Sequence, residues 1–367
     1  MNILILNWRD IRHPKGGGAE FVTMEHTKSW VAAGNHVTWL TAHYKGSKKE
    51  SIVEGVHFVR RWGSLTVYLY ALIYLLLNAK RTDVIVDEVH GFPFFSPLLT
   101  GKPVIVFIHE IAGEIWDSMF VFPKNEIGKF LEWLYFKLYK HCLFWTDAQS
   151  TVEELVARGI PRARCIAIPC PILITPVTRM PKKEKNHTYI CVSRLVKMKG
   201  VEDVITAFSL IHRRDPSSRL WIVGEGDAGY RNTLTELVKR LSLESRVTFF
   251  GYVTEAKKVD LLRRAHILLH ASVKEGWGLV VLEAASQGTP SVVYNVNGLR
   301  DTVKGNQTGI LTTYNTSAEL AGESLSLIDN KKEYGRLQKN ALSWCRTFTW
   351  KEATKQSLML IKKYDKE

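Results

Sequence analysis

Short apolar runs alternate with longer segments whose apolar positions recur at helical spacing, almost from one end of the chain to the other. In the first half, the runs at 3–6, 37–40, 56–59, 84–86 and 104–108 predict buried strands. Helical spacing over 19–33, closed by Gly34, and over 67–77 and 127–138 predicts the helices between them. Between 169 and 186 the pattern breaks: Pro169, Pro171, Pro176 and Pro181 precede Lys182-Lys183-Glu184-Lys185, which reads as a linker. The alternation then resumes, with strands at 189–192, 220–223, 247–249, 267–270 and 291–294. Helices at 200–212, 230–241, 255–265 and 279–287 fall between them. Strands that alternate with helices build parallel sheets covered by helices. The expectation is therefore an α/β protein of two Rossmann-like domains whose sheets face a cleft. It assigns 1–170 to the first domain, 171–186 to a linker and 187–349 to the second, with a closing helix over 350–367 that joins the first. Ligands of such sheets bind beyond the C-terminal strand ends.

The longest apolar stretch, 65–79, falls short of the ~20 residues that a bilayer span needs. It is expected to be a buried helix, with a helix lying on a membrane surface as the alternative. Met1 runs straight into a strand-like segment without the basic start of a signal peptide. A cytoplasmic protein is expected, with contact at the inner face of a membrane left open.

Composition supports a soluble globular protein, 46% apolar and 23% charged. The five cysteines form no C-x-x-C pair and read as small core residues rather than a disulfide or zinc framework. Charge is informative only when divided. Residues 1–170 carry 19 Lys/Arg against 16 Asp/Glu, and the remainder carries 31 against 20. A basic second half suits a polyanionic ligand such as a nucleoside diphosphate, and equally an anionic membrane or nucleic acid. No nucleic-acid-binding module accompanies it, so nucleic acid is not expected as a partner.

The chemistry concentrates in Lys274-Glu275-Gly276-Trp277-Gly278-Leu279 and the helix that follows. A strand ends near His270, a glycine-rich turn follows, and a helix begins close to Gly278. Free N–H groups at such a helix start suit a diphosphate. Glu275 precedes the turn and Glu283 lies eight residues later, placed to accept hydrogen bonds from sugar hydroxyls. A second cluster, Ser193-Arg194-Leu195-Val196-Lys197-Met198-Lys199-Gly200, follows the first strand of the second half. Two cations five residues apart on a βα loop can meet a pyrophosphate from one side. Gly224-Glu225-Gly226 is a tight turn after another strand. In the first half, Gly16-Gly17-Gly18-Ala19-Glu20 opens the first helix, and His109 ends the strand 104–108. Asp87-Glu88 and Thr146-Asp147 also stand at strand ends; the former pair is read as an acceptor contact or as solvated.

Two glutamates separated by seven residues, with glycine-rich sequence after the first, resemble the signature of the retaining glycosyltransferases of GT-B fold, family four. The resemblance covers nearly the whole chain. It implies that Arg194 and Lys199 bind the donor diphosphate and, with His109 and Glu275, serve catalysis. It implies that Gly17, Gly18, Gly224, Gly226, Gly276, Trp277, Gly278, Leu279 and Glu283 line the donor site. It further implies transfer from a UDP- or GDP-linked sugar to a hydroxyl of a glycan or lipid-linked acceptor, in polysaccharide, glycan or glycolipid synthesis. No metal and no resident cofactor are expected, and the chain contains no D-x-D triplet. Two departures stand out: Ser193 replaces the family's glycine, and Pro169-Cys170-Pro171 replaces its Pro-Asn-Gly turn. A sugar-nucleotide epimerase or phosphorylase is the alternative on the same architecture. A dinucleotide-dependent dehydrogenase is disfavoured, because no G-x-G-x-x-G follows the first strand.

Overall fold

The computed structural model describes residues 1–363. The chain divides into two compact units, Met1–Gly113 with Phe122–Cys170 and Thr349–Glu367, and Glu114–Val121 with Pro171–Phe348. The end of the expected closing helix, 364–367, lies outside the described residues.

The first unit contains β1 (Asn2–Leu6), α1 (Gly18–Ala32), β2 (His36–Ala42), β3 (Glu50–Val53), β4 (Val56–Arg61), α2 (Val67–Asn78), β5 (Val84–Val89), α3 (Ser96–Leu99) and β6 (Val104–Ile108). The helix α4 (Ile115–Met119) groups with the second unit. The first unit resumes with α5 (Lys124–Tyr139), β7 (Leu143–Thr146), α6 (Gln149–Ala157) and β8 (Cys165–Ala167). Its eight strands run in the order β3-β4-β2-β1-β5-β6-β7-β8, parallel except for the β3–β4 pair. Strands β5 and β6 are buried along their whole length, as expected where helices cover both faces. β3 escaped the sequence reading. It is a short polar edge strand paired back onto β4 through a turn at Glu54-Gly55, both at positive φ.

The second unit contains β9 (Thr188–Val192), α7 (Val201–Arg214), β10 (Arg219–Val223), α8 (Ala228–Arg240), β11 (Val247–Gly251), α9 (Glu255–Arg264) and β12 (Ile267–His270). It continues with α10 (Leu279–Ser286), β13 (Ser291–Val293), α11 (Leu299–Thr302), β14 (Ile310–Leu311), α12 (Ser317–Asp329) and α13 (Lys331–Cys345). The six strands are all parallel in the order β11-β10-β9-β12-β13-β14. The last helix, α14 (Trp350–Lys362), packs along α1 in the first unit. There Ser357 Oγ lies 2.8 Å from His26 Nδ1 and accepts from Trp30 Nε1 at 3.1 Å.

Two expectations change. The segment read as a linker has no strand or helix, but it is not free chain. Val177 N bonds Ser286 O, Glu184 N bonds Arg264 O, and Lys183 Nζ reaches Thr289 Oγ1 at 2.6 Å. Burial of that ammonium lowers its pKa to about 7. The apolar stretch 65–79 does form a helix, α2, but a buried one it is not. Only Val67, Ala71 and Leu75 are buried, while Leu65, Leu69, Leu72, Ile73, Leu76 and Leu77 are exposed. Among the described residues no helix is long and apolar enough to cross a membrane. All five cysteines are free thiols.

Candidate active site

In the second unit, two loops are joined by backbone contacts that tolerate no side chain. Gly200 sits at φ 61°, where a Cβ would lie 2.0 Å from Ala271 O. Just before it, Met198 O accepts from Val273 N at 2.9 Å and from Ser272 Oγ at 3.1 Å. This close approach carries Lys199 Nζ to within 2.6 Å of Glu275 Oε1. The same oxygen lies 2.8 Å from Nε2 of His270, the last residue of β12. Behind it, a Cβ on Gly298 (φ 79°) would meet Glu275 O at 2.3 Å, so glycine is required there for the turn to close.

Burial alone would raise the pKa of Glu275. The ammonium of Lys199 and the ring of His270 outweigh that and hold the carboxyl well below the usual range. Lys199 and Glu275, expected as separate ligand contacts, are thus an ion pair with both side chains mostly buried.

Arg194 is held differently. Gly224 and Gly226 fix its loop: a Cβ on either would lie within 2 Å of the carbonyl of Ser193 or Leu195. Ser193 N bonds Val223 O at 3.0 Å and Leu195 N bonds Glu225 O at 2.8 Å. The glycine pair expected to line the donor site therefore has a structural task, the seating of the 193–195 segment. Arg194 itself is exposed, and its side chain has no hydrogen-bond or ion-pair partner among the described residues.

Helix α10 opens at Gly278, in left-handed backbone at φ 84°, with no side-chain cap and no acid in its first turn. By contrast Asp227, Thr254, Thr316 and Asn330 cap α8, α9, α12 and α13. An uncapped, unneutralised helix start leaves N–H donors for an anion. Trp277 turns inward and packs edge-on against Phe348, ring centroids 5.3 Å apart, so packing explains its presence. Glu283 pairs with Lys258 of α9 at 2.9 Å. Burial pushes its carboxyl upward more than Lys258 draws it down. His270, five residues before Glu275, read only as the end of a strand, and Lys258 and Gly298 were not legible as site residues, since each acts through a partner more than 20 residues away. The same holds for Glu114, which precedes α4 and bonds Lys274 Nζ at 2.9 Å.

The first unit gathers its charges at the ends of β5, β6 and β7. His109 Nδ1 lies 2.5 Å from Asp147 Oδ2, and Nε2 lies 3.2 Å from Glu88 Oε1. Phe107 and Trp145 stack at 3.8 Å, and the Phe107 ring packs at 4.2 Å against the imidazole. Burial would lower the pKa of His109, but the two carboxylates raise it to about 10. Both ring nitrogens are occupied by donation, so the ring is a fixed imidazolium and its N–H groups are not available to a sugar.

Glu88 also accepts from Thr23 Oγ1 at 3.0 Å and lies 3.0 Å from His90 Nε2. His90 Nδ1 lies 3.1 Å from Arg9 NH2. A guanidinium only donates, so His90 accepts at Nδ1, while its Nε2 lies between Glu88 Oε1 and Asn7 Nδ2, 3.3 Å away. Glu88, His90 and His109 lie close enough together for a metal ion, yet in this arrangement both nitrogens of His109 face carboxylates. Arg9 NH2 pairs in turn with Glu20 at 2.8 Å, and Glu20 Oε2 accepts from Gly17 N at 2.6 Å. The Gly17 amide therefore has an internal acceptor. The Asp87-Glu88 pair is not solvated, as both residues are fully buried. Asp87 bonds Ser96 Oγ and Tyr139 OH, each at 2.7 Å.

Comparison with known proteins fits this arrangement. Residues 178–344 match the model of the glycosyl transferases group 1, and residues 16–174 match that of glycosyltransferase family 4. The mannosylfructose-phosphate synthase of Agrobacterium fabrum is 29% identical over 184 residues, 48% of this chain and 40% of that enzyme. The D-inositol 3-phosphate glycosyltransferase of Corynebacterium glutamicum is 29% identical over 45% of this chain and 41% of its own length. The chain thus spans about two fifths of the curated relatives it matches.

Among solved structures, the sucrose-phosphate synthase of Thermosynechococcus elongatus superimposes with a TM-score of 0.82 at 19% identity, covering 99% of this chain and 98% of that one. HepE from Anabaena, solved with UDP and glucose, gives 0.77 at 19% identity over 99% and 100%. WaaG, a glycosyltransferase of lipopolysaccharide biosynthesis, gives 0.77 at 16% identity over 98% and 99%. At such identities these three speak for the fold alone. The two family models, which between them run from residue 16 to residue 344, show that the chain belongs to the group 1, family 4 glycosyltransferases.

Proposed function

We propose that this protein transfers a sugar from a UDP- or GDP-linked donor to a hydroxyl acceptor, with retention of configuration and without a metal ion. The observation that carries the reading is the second unit's arrangement of cations. Lys199 is drawn to Glu275 at 2.6 Å, Arg194 on the same loop stands without a partner, and α10 begins uncapped. Departure of a nucleoside diphosphate builds negative charge on its outer phosphate. Fixed donors aimed at that charge lower the barrier, and they supply the countercharge that a metal would otherwise bring. Glu275, kept ionised, accepts from sugar hydroxyls, and Glu283 from the ribose. HepE was solved with UDP and glucose, which favours a uridine nucleotide among the donors.

In this reading His109 does not shuttle a proton, because its ring is locked as a cation. It contributes a fixed positive charge at a strand end. The acceptor belongs to glycan, polysaccharide or glycolipid synthesis, and the enzyme works in the cytoplasm, at the inner face of the membrane where the acceptor is lipid-linked.

The test is a panel of UDP- and GDP-sugars, with and without glycan and lipid-linked acceptors, read as release of nucleoside diphosphate and as anomeric configuration of the product. Acceptor-dependent release with retained configuration, undiminished by a chelator, is the expected result. Conversion of the donor into an isomer without an acceptor would instead establish the epimerase alternative.

A further inference from the structure

Helix α2 has two apolar faces, and the sheet uses only one. Val67, Ala71 and Leu75 enter the core. Leu69, Leu72, Ile73, Leu76 and Leu77, at helical spacing on the opposite side, face solvent, with Leu69, Leu76 and Leu77 61%, 63% and 77% exposed. No residue of this helix is charged. Helix α5 lies in the same layer, since its Tyr135, Phe136 and Tyr139 pack into the same core as Val67, Ala71 and Leu75. The short α3 contacts both helices. α5 in turn exposes Ile127, Phe130 and Trp133, and α3 exposes Leu98. Apolar surface of this extent on one face marks an interaction site rather than the scatter usual on soluble proteins.

The second observation is charge. The chain enters β5, β6, β7 and β8 through segments that carry Lys80 and Arg81, Lys102, Lys140, and Arg164. All four entries lie at the edge where the parallel strands begin, which is also where α2 and α5 end. The acid in these entries, Asp83, already accepts from Asn2 N at 2.6 Å. On the helices of this layer, the exposed Glu126 is bonded to Lys129, and Glu153 of α6 is exposed. The second unit carries the larger basic surplus and yet has no such stripe. Its exposed large apolar residues Leu173, Met180, Tyr252, Val273 and Tyr314 lie outside helices, and Met119, Phe120 and Val121 cluster at the end of the five-residue α4.

We propose that the outer helical face of the first unit docks on an anionic lipid bilayer. The stripe of α2 and the aromatic side chains of α5 enter the acyl boundary, while the basic rim meets lipid phosphates. Hydrocarbon beside a row of cations that outnumber the free acids matches that surface in both respects. A second copy of the chain fits less well, because it would bring a row of cations into an interface that offers them few acids.

The test is flotation of the purified full chain with vesicles of phosphatidylcholine alone or of equal parts phosphatidylcholine and phosphatidylglycerol, at low and high salt. Binding to the phosphatidylglycerol vesicles that weakens with salt is expected, with little binding to phosphatidylcholine alone. Leu72→Glu with Leu76→Glu, and separately Lys80→Glu with Arg81→Glu, should each weaken binding by about tenfold or more. Both pairs lie on surface positions away from the donor-binding residues, so nucleotide-induced stabilisation of the soluble protein should be unchanged. No flotation of the wild type at low salt overturns the proposal, as does unaltered flotation of both variants. A dimer by light scattering that Leu72→Glu with Leu76→Glu dissociates, without vesicle binding by the wild type, would make a second copy the occupant.

Discussion

In the first unit, Asp147 and Glu88 close on the two nitrogens of His109, and Arg9 bridges Glu20 and His90, so that charges buried together meet charges from the same unit. In the second unit, Lys199 and Glu275 meet each other, but Arg194 on the same loop has no partner and α10 starts without a cap. The first arrangement is a closed network whose charges hold each other in place. The second leaves an exposed cation and an uncapped helix start, which under the proposed function an anionic donor would complete. Removing a charge should therefore cost stability in one unit and turnover in the other.

The largest effect expected is on turnover. If the proposed function holds, Arg194→Ala removes a donor to the leaving phosphate and should lower transfer by roughly 100-fold or more. Because that side chain holds nothing in the free protein, the stability should stay within about 0.5 kcal/mol of wild type, with little change in melting temperature. Initial rates and a thermal scan on the same preparation check both halves.

Glu88→Gln should do the reverse. It leaves an imidazolium buried beside a neutral amide, and breaking such a pair costs about 3 kcal/mol. Chemical denaturation measures it directly, and an unchanged midpoint would break the contrast between the units. The pH dependence follows from the same groups. The pKa of His109 is raised from 6.5 to about 10, so the stability its charge provides is complete below the lower value and is lost as pH climbs through the upper one. Glu88 is lowered from 4.5 to about 2, so its contribution is complete above the first value and disappears as pH falls through the second. The wild type should lose more stability between neutral pH and pH 10 than His109→Gln does, and equal losses would deny the imidazolium.

Gly298→Ala sharpens the comparison at the level of backbone. Its Cβ would press on Glu275 O at 2.3 Å with φ at 79°, so the turn must shift. A cost of roughly 1–3 kcal/mol is expected, together with weaker donor binding. The smallest effect belongs to Trp277→Phe, a packing change expected to cost under about 1.5 kcal/mol with donor affinity preserved.

How much of this was written in the sequence divides along physical lines. The parallel strands were visible because burial on both faces makes them continuous apolar runs, as in Val104–Ile108. The loops around Arg194, Lys199 and Glu275 were visible because glycines and charges cluster there within a few residues. The His109 clamp was not, since Glu88, His109 and Asp147 meet only once three strands align. Gly224 and Gly226 were seen as a tight turn, but their seating of the Arg194 loop was not, because a glycine that admits a neighbouring backbone looks in sequence like one that admits a ligand. The orientation of α2 was hidden for a simpler reason. A helix that is apolar all round gives no period to say which side faces the sheet. The short β3 carries too few apolar residues to stand out from a loop.

Thermal stability in the presence of UDP and of GDP, measured on the wild type and on Arg194→Ala side by side, tests the central claim most directly. Ligand at 100 times its dissociation constant stabilises the native state by about 2.7 kcal/mol. The account predicts a clear rise in the melting temperature of the wild type with at least one of the two nucleotides, and little or none for Arg194→Ala. No rise in the wild type with either nucleotide, or an equal rise in both proteins, would contradict it.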